Sequence, residues 1–480
     1  MPDLIDDYRC TDAGNGLRLA DHAGTDLRHC REWGWLAWTG KRWAREADKA
    51  ALRAWLAVAE RYRDACAARF AGILALPAGT PGREIAETHT RWAAGCESLT
   101  RARCALEMAA AHPALATSAA QFDAEPWLLS VGTGTVDLRT GQLRAASRDD
   151  LLTAGTDVDP REIPYGCRWD QFLREILPDA DTRAYIQRAI GLSIIGEQRD
   201  HAIFLAYGTG GNGKGAFFRA LRSALGDYYT ALPAGMLIEQ PYQPHAAQVA
   251  KLAGKRLAVS SEIARGKRLD EAKVKELTGG DTITAQYMRE NWFDFTPSHT
   301  LWVCANDRPR ISGTDRGIWR RMKCIPFVTQ IADAAMDPDL DAKLAAEAGY
   351  VLQWCLDGCA EYLRAGLGSC PAVDAATAEY RASEDTMGAC LEDMCDFGEG
   401  LRVTKISFRA AMAAWYSDAG MSHIATDKTI KADFERRGFG ETRPDGQGWH
   451  WTGLALKPEW RDRATNTTTD KPARRGWHTD

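Results

Sequence analysis

Residues 208–215 read Gly-Thr-Gly-Gly-Asn-Gly-Lys-Gly, between a short apolar run, His201–Tyr207, and a helical stretch, Ala216–Leu225. Strand, glycine-rich loop, lysine, helix is a context in which backbone can wrap an anion. The glycines let successive N–H groups point inward at phosphate oxygens. The helix N-terminus adds partial positive charge, and Lys214 neutralises the β- and γ-phosphates. Gly208, Thr209, Gly210, Gly211, Asn212, Gly213, Lys214 and Gly215 together form the candidate nucleotide site, with ATP and Mg²⁺ as the expected ligands. One position departs from the pattern. A Ser or Thr normally follows the lysine and binds Mg²⁺ through its hydroxyl, but Gly215 cannot. The metal must then rely on water, the nucleotide and a carboxylate.

Strands alternate with helices from His201 to about Val328, which implies a parallel α/β core. A second apolar strand, Arg256–Glu262, delivers one acid at its carboxyl end, where parallel sheets place their ligands. Glu262 there can hold Mg²⁺ or polarise the attacking water. A third strand, Thr300–Ala305, ends at Asn306, whose amide can orient that water. Downstream, Arg316, Arg320, Arg321 and Lys323 crowd one short stretch. A planar guanidinium suits spread phosphate charge, so Arg320 and Arg321 are candidates for a finger supplied by a neighbouring subunit.

At 480 residues the chain is long enough for roughly three domains. Its 60 Lys+Arg against 65 Asp+Glu give a formal charge of −5. That excludes a protein that coats nucleic acid with its whole surface, though not a local basic site. Seventeen Trp are expected mainly in cores. The 13 Cys are scattered, and the pairs Cys355/Cys359 and Cys390/Cys395 lack partners at zinc-like spacing, so free thiols of a reducing compartment are expected. No apolar run approaches the roughly 20 residues of a membrane span, and the acidic N-terminus does not read as a signal peptide. A soluble, cytoplasmic protein is expected.

Residues up to about 125 read as helical (Arg45–Phe70, Thr88–Ala111), after a hairpin bearing Trp33, Trp35, Trp38 and Trp43 around Gly40. A second hairpin is predicted at Gly134–Leu143, turning at Thr140-Gly141. Helical stretches follow at Trp169–Ile195 and Pro338–Leu367. Two more, Ile406–Ala419 and Thr426–Arg437, precede the Trp-flanked segment 448–451, an order that suggests a winged helix. The polar tail after Trp460 reads as disordered. The resulting division is 1–165, 166–370, 371–460 and a tail, 461–480.

As an ordered set, Gly208–Gly215, Leu257–Glu262, Gly279–Ala285, Leu301–Asn306 and Trp319–Phe327 resemble the superfamily 3 helicase domain of phage and plasmid primase-helicases, the group that includes the poxvirus primase-helicase. Thr11–Asn15, Trp38–Trp43 and Gly134–Gly141 look like the pre-helicase region of that family. The resemblance implies an AAA+-like P-loop ATPase core with a C-terminal winged helix, in a 3′–5′ translocase on single-stranded or forked DNA. It also implies a homo-oligomer, typically a hexamer, working for phage, prophage or plasmid replication with a separate primase or initiator. Carried over, Gly208–Lys214 would be Walker A, Glu262 the Walker B acid and metal ligand, Asn306 the first sensor, and Arg320 and Arg321 the finger region. Residues 282–297 look like a hairpin that reaches DNA: Tyr287 stacks a base while Arg289 and Asn291 at the tip meet phosphates. Gln286 stands where that family commonly has Arg. Lys275 is a further candidate DNA contact, as are Lys428, Lys431, Arg436 and Arg437 on the second C-terminal helix. Too few residues precede Leu4 for a primase catalytic domain, so no primer synthesis is expected. Two alternatives stay open: a DNA-binding scaffold or initiator with little hydrolysis, and a monomeric small-molecule kinase.

Overall fold

A computed structural model describes residues 2–45, 49–240, 246–261, 263, 266–287, 292–311, 316–332, 336–419, 425–444 and 446–469. The protein is a multidomain α/β chain with many helices and one parallel sheet. It divides into two compact units, Met1–Pro309 with Arg321–Ala376, and Arg310–Arg320 with Thr377–Asp480.

The parallel sheet lies in the first unit. Its spatial order is Met322–Pro326, Ile203–Tyr207, Thr300–Ala305, Leu257–Ser261 and Tyr229–Leu232. Buried along nearly their whole length, Ile203–Tyr207 and Thr300–Ala305 at its centre are near-continuous apolar runs rather than alternating ones. Phe204 stacks on Trp302 with ring centres 4.6 Å apart, and Phe218 from the Lys214–Leu225 helix meets the same indole edge-on at 5.7 Å. The Trp302 Nε1–H donates to Ser193 Oγ at 2.9 Å, which satisfies the one polar atom that this burial would strand. On the other side of that helix, Phe217 stacks on Trp169. Trp43, Trp55, Trp169, Trp302, Trp354 and Trp451 are all buried, as the aromatic content led us to expect.

The N-terminal helices Ala50–Leu74, Arg83–Gly95 and Leu99–Ala110 close over a core of their own, built on Trp55, Tyr62 and Phe70. The stretch expected as one helix, 88–111, is thus two, separated at Ser98, whose side chain caps the second. The Trp-bearing segment forms strands Leu27–Cys30, Gly34–Trp38 and Trp43–Arg45. The second hairpin pairs Thr135–Asp137 with Gln142–Arg144.

Arg256 ties this region to the parallel sheet. Fully buried, its guanidinium donates to the carbonyls of Leu128 and Ile194 and lies 4.6 Å from the centre of the Tyr228 ring. The Tyr228 hydroxyl in turn accepts from Ser130 N and donates to Ala154 O. Three segments distant in sequence are closed by one cation that faces carbonyl dipoles rather than a carboxylate.

The second unit follows a helix with strand Cys395–Thr404, helices Lys405–Asp418 and Asp427–Arg437, then strands Gly440–Thr442 and His450–Leu456. The third strand pairs between the other two, antiparallel to both. Thr404 and Thr426 cap the two helices. The tail expected to be disordered continues instead as a helix, Pro458–Thr469. Trp460 and Ala464, one turn apart, are buried in this unit's core, and that short apolar stripe offsets the ordering cost which the polar composition hid. Residues 470–480 lie outside the described residues. Among the described residues no helix is long and apolar enough to cross a membrane, and all thirteen cysteines are free thiols.

Two predictions follow from burial. Arg256→Met leaves two buried carbonyls unpaired and is expected to cost about 2–4 kcal/mol in denaturant unfolding, whereas Arg268→Met at the surface should change stability by under about 0.5 kcal/mol. His299 is fully buried, and desolvation pushes its pKa down from 6.5 to about 4. Its unfolded form binds the proton first, so its stabilisation is complete above pH 6.5 and drains away as pH falls toward 4, by on the order of 3 kcal/mol. His299→Phe should flatten the pH dependence of the unfolding midpoint across that window. An unchanged slope would refute the assignment.

Candidate functional site

The glycine-rich loop leaves the carboxyl end of Ile203–Tyr207 and enters the Lys214–Leu225 helix. Two positions demand glycine. Gly213 has φ of +80°, and a Cβ there would sit 2.3 Å from Ile176 Cγ2; a Cβ on Gly208 would sit 2.2 Å from the carbonyl oxygen of Phe327. Around Gly210 a Cβ would meet nothing within 4 Å, so the loop is closed beneath and open above. Ile176 and Phe172, from the helix Arg168–Ile176, form the floor.

Lys214 is 4% exposed. Its Nζ donates to Gly208 O at 2.6 Å and to Asn212 Oδ1 at 2.9 Å. Burial pushes its pKa below the usual lysine value. The ammonium is thus a partly desolvated cation held by neutral dipoles, an arrangement that favours an incoming anion. Asn212, also buried, donates through Nδ2 to Phe327 O at 2.9 Å. The segment after the strand Met322–Pro326 runs beside the loop. Ile331 N donates to Gly211 O, and Gln330 Nε2 donates to Thr209 Oγ1 at 3.0 Å. Sequence reasoning missed this second wall, because nothing local marks Phe327, Gln330 and Ile331 as neighbours of a loop more than a hundred residues earlier.

Strand register aligns the other candidates. Ala305 pairs with Tyr207, so Asn306 emerges exposed at the same edge as the loop. Ser261, the last described residue of its strand, pairs with Cys304. Glu262 itself lies outside the described residues, as do Arg289 and Asn291. Arg308, also missed from sequence, places its guanidinium 5.3 Å from the ring centre of Tyr207 at this edge. Among the described residues no three His, Cys, Asp or Glu side chains cluster to hold a metal.

The structure does not bring Arg321 to the loop. Arg321 is buried at the opposite, amino edge of the sheet. Its carbonyl accepts from Ile203 N, and its Nε donates to Thr278 Oγ1 at 3.1 Å. Arg320 is exposed and belongs to the second unit. Lys275 is half-buried on the helix Glu271–Leu277. Strands Ile283–Gln286 and Trp292–Phe295 form an antiparallel hairpin, on which the half-buried Tyr287 stacks against Phe293 at 5.1 Å.

On the second C-terminal helix most of the basic residues are already neutralised. Lys431 pairs with Glu435 and Glu441, Arg436 with Asp433, and Arg437 with Asp433 and Asp385. Lys428 alone of the four has no ion pair among the described residues.

Residues 16–178 match the family described as D5 N terminal like, and residues 206–321 match a family of unknown function, DUF5906. The "Putative helicase L207/L206" of Acanthamoeba polyphaga mimivirus is 28% identical over 215 residues, 44% of this chain and 22% of that protein. The "Putative helicase 184R" of Invertebrate iridescent virus 6 is 25% identical over 46% of this chain and 24% of its own length. The "Putative primase C962R" of African swine fever virus (isolate Warthog/Namibia/Wart80/1980) is 22% identical over 55% of this chain and 30% of its own length. The chain is thus similar, over about half of its length, to viral proteins named as helicases and as a primase. It spans less than a third of the length of these relatives. The C-terminal region of NrS-1 aligns with a TM-score of only 0.40 at 10% identity, over 62% of this chain and 77% of that one, too weak a likeness to inform the fold.

Asn212→Ala would remove both a partner of the Lys214 ammonium and the clamp on Phe327 O. It is expected to destabilise the chain by about 1–3 kcal/mol in chemical unfolding. An unchanged midpoint would mean that the loop is not held by this side chain.

Proposed function

We propose that the chain is an ATP-driven DNA helicase motor, translocating 3′ to 5′ on single-stranded DNA as a ring of identical subunits, most simply a hexamer. The observation that carries this reading is the buried Lys214 ammonium at the start of a twelve-residue helix, beneath a loop curled at Gly208 and Gly213. That cradle fits the phosphates of ATP: the loop is open above Gly210, floored by Ile176, and backed by the helix N-terminus. The spatial order of the five strands supports an AAA+-like core, and the matches to proteins named helicase and primase support a replicative setting.

In this reading Lys214 neutralises the β- and γ-phosphates and Asn306 orients the attacking water. Glu262 polarises that water or serves as the protein ligand of Mg²⁺, since Gly215 offers no hydroxyl. Bound Mg²⁺ would supply charge neutralisation across the phosphates. Arg320, the exposed member of the arginine pair, is the better finger for a neighbour's site. Arg321, anchored to Thr278, is the better support for it. Tyr287, Arg289 and Asn291 of the hairpin, with Lys275, would contact the DNA strand, and the C-terminal unit reads as a winged helix from its order of helices and strands.

Gly215 also favours a second reading, a nucleotide-binding scaffold with little hydrolysis. Phosphate release with and without single-stranded DNA separates the two. On the motor reading, DNA stimulates release, while Lys214→Ala and Glu262→Gln each lower it by on the order of a hundredfold or more. DNA binding without phosphate release would favour the scaffold, and undiminished unwinding by Lys214→Ala would sink the site assignment.

A further inference from the structure

In the second unit, Trp449 precedes the strand His450–Leu456 and is 50% exposed. A single exposed aromatic is ordinary, but this one is fixed and flanked by charge. Its carbonyl accepts from Lys405 N at 2.9 Å, which ties it to the start of the helix Lys405–Asp418. The Lys405 ammonium lies 5.4 Å from its ring centre and 4.1 Å from that of the buried Trp451. The guanidinium of Arg443 lies 5.9 Å from the Trp449 ring. Glu441 engages Lys405 at 2.9 Å and Lys431 at 3.4 Å, and Lys405 holds its carboxyl below the usual range. Arg443, exposed, has no ion pair among the described residues. Two cations, Lys405 and Arg443, therefore flank the exposed indole of Trp449, and only Lys405 is already engaged by a carboxylate.

We infer that this surface, rather than the neutralised face of the second helix, is where the C-terminal unit holds single-stranded DNA, with an unpaired base stacked on Trp449 and a flanking phosphate on Arg443. An aromatic ring on an already ordered backbone accepts any base, because every base has a π-face. Duplex DNA keeps its bases stacked internally and cannot offer that face without unstacking. Naming DNA rather than RNA rests on the helicase reading; the stacking surface itself does not.

The test is fluorescence anisotropy of the full chain, without nucleotide, on a labelled thymidine oligomer, an abasic oligomer of equal length, a uridine oligomer and a duplex. Trp449→Ala should weaken binding to the thymidine oligomer about tenfold and leave the weaker abasic affinity unchanged. Trp449→Phe should restore most of the loss, and Lys428→Ala should change affinity less than about twofold. The assay contains no nucleotide and reads no phosphate release, so failure of the motor reading is distinguishable from failure of this one. An unchanged affinity for Trp449→Ala, an equal loss on the abasic oligomer, or tighter binding to duplex or to the uridine oligomer would overturn the inference.

Discussion

A buried cation held, among the described residues, by neutral dipoles alone organises the first unit of this protein. The Lys214 ammonium is almost fully buried against one carbonyl and one amide oxygen. Neutral dipoles alone compensate poorly for the water that a buried charge gives up. The loop can hold such a charge because Asn212 is itself pinned to Phe327 and because Gly208 and Gly213 let the backbone close. The strands Ile203–Tyr207 and Met322–Pro326 deliver those partners to one edge of the sheet, and the helix Arg168–Ile176 supplies the floor. The elements of the first unit thus converge on one buried positive charge beneath an open loop.

Arg256 is the structural counterpart of Lys214. It too is a buried cation satisfied by carbonyls, but it is sealed between segments instead of facing an open loop. The same residue chemistry gives a rivet in one place and a binding site in the other. What differs is whether space is left for an anion.

Much of the site was legible from local pattern. The glycine spacing, the lysine and the following helix are determined by a few consecutive residues, and the turn at Thr140-Gly141 likewise depends on its own backbone. Asn306 was legible because an apolar run ends there. Less visible was anything resting on distant pairing. Arg320 and Arg321 are adjacent in sequence and read as one basic patch. Yet one is exposed, and the other is buried at the edge of the sheet opposite the loop, because strand Met322–Pro326 begins beside Ile203. The basic second C-terminal helix reads from sequence as a phosphate-binding or a solvated face, and the ion pairs with Glu441, Asp433 and Asp385 on it depend on the fold. The helical tail was hidden because two apolar residues in a polar stretch carry little compositional weight.

The sequence by itself determined where an anion-binding loop can form, which strand ends bear an acid or an amide, and that net charge of −5 leaves room only for local basic surfaces. These follow from short-range backbone geometry and from residue chemistry. Only the tertiary structure decided the order of the five strands, which arginine is buried, which lysines are already paired, and that Trp449 stands exposed near two cations. Those outcomes depend on which distant segments share a surface. Burial and ion pairing are properties of that shared surface, and no single stretch of chain encodes them.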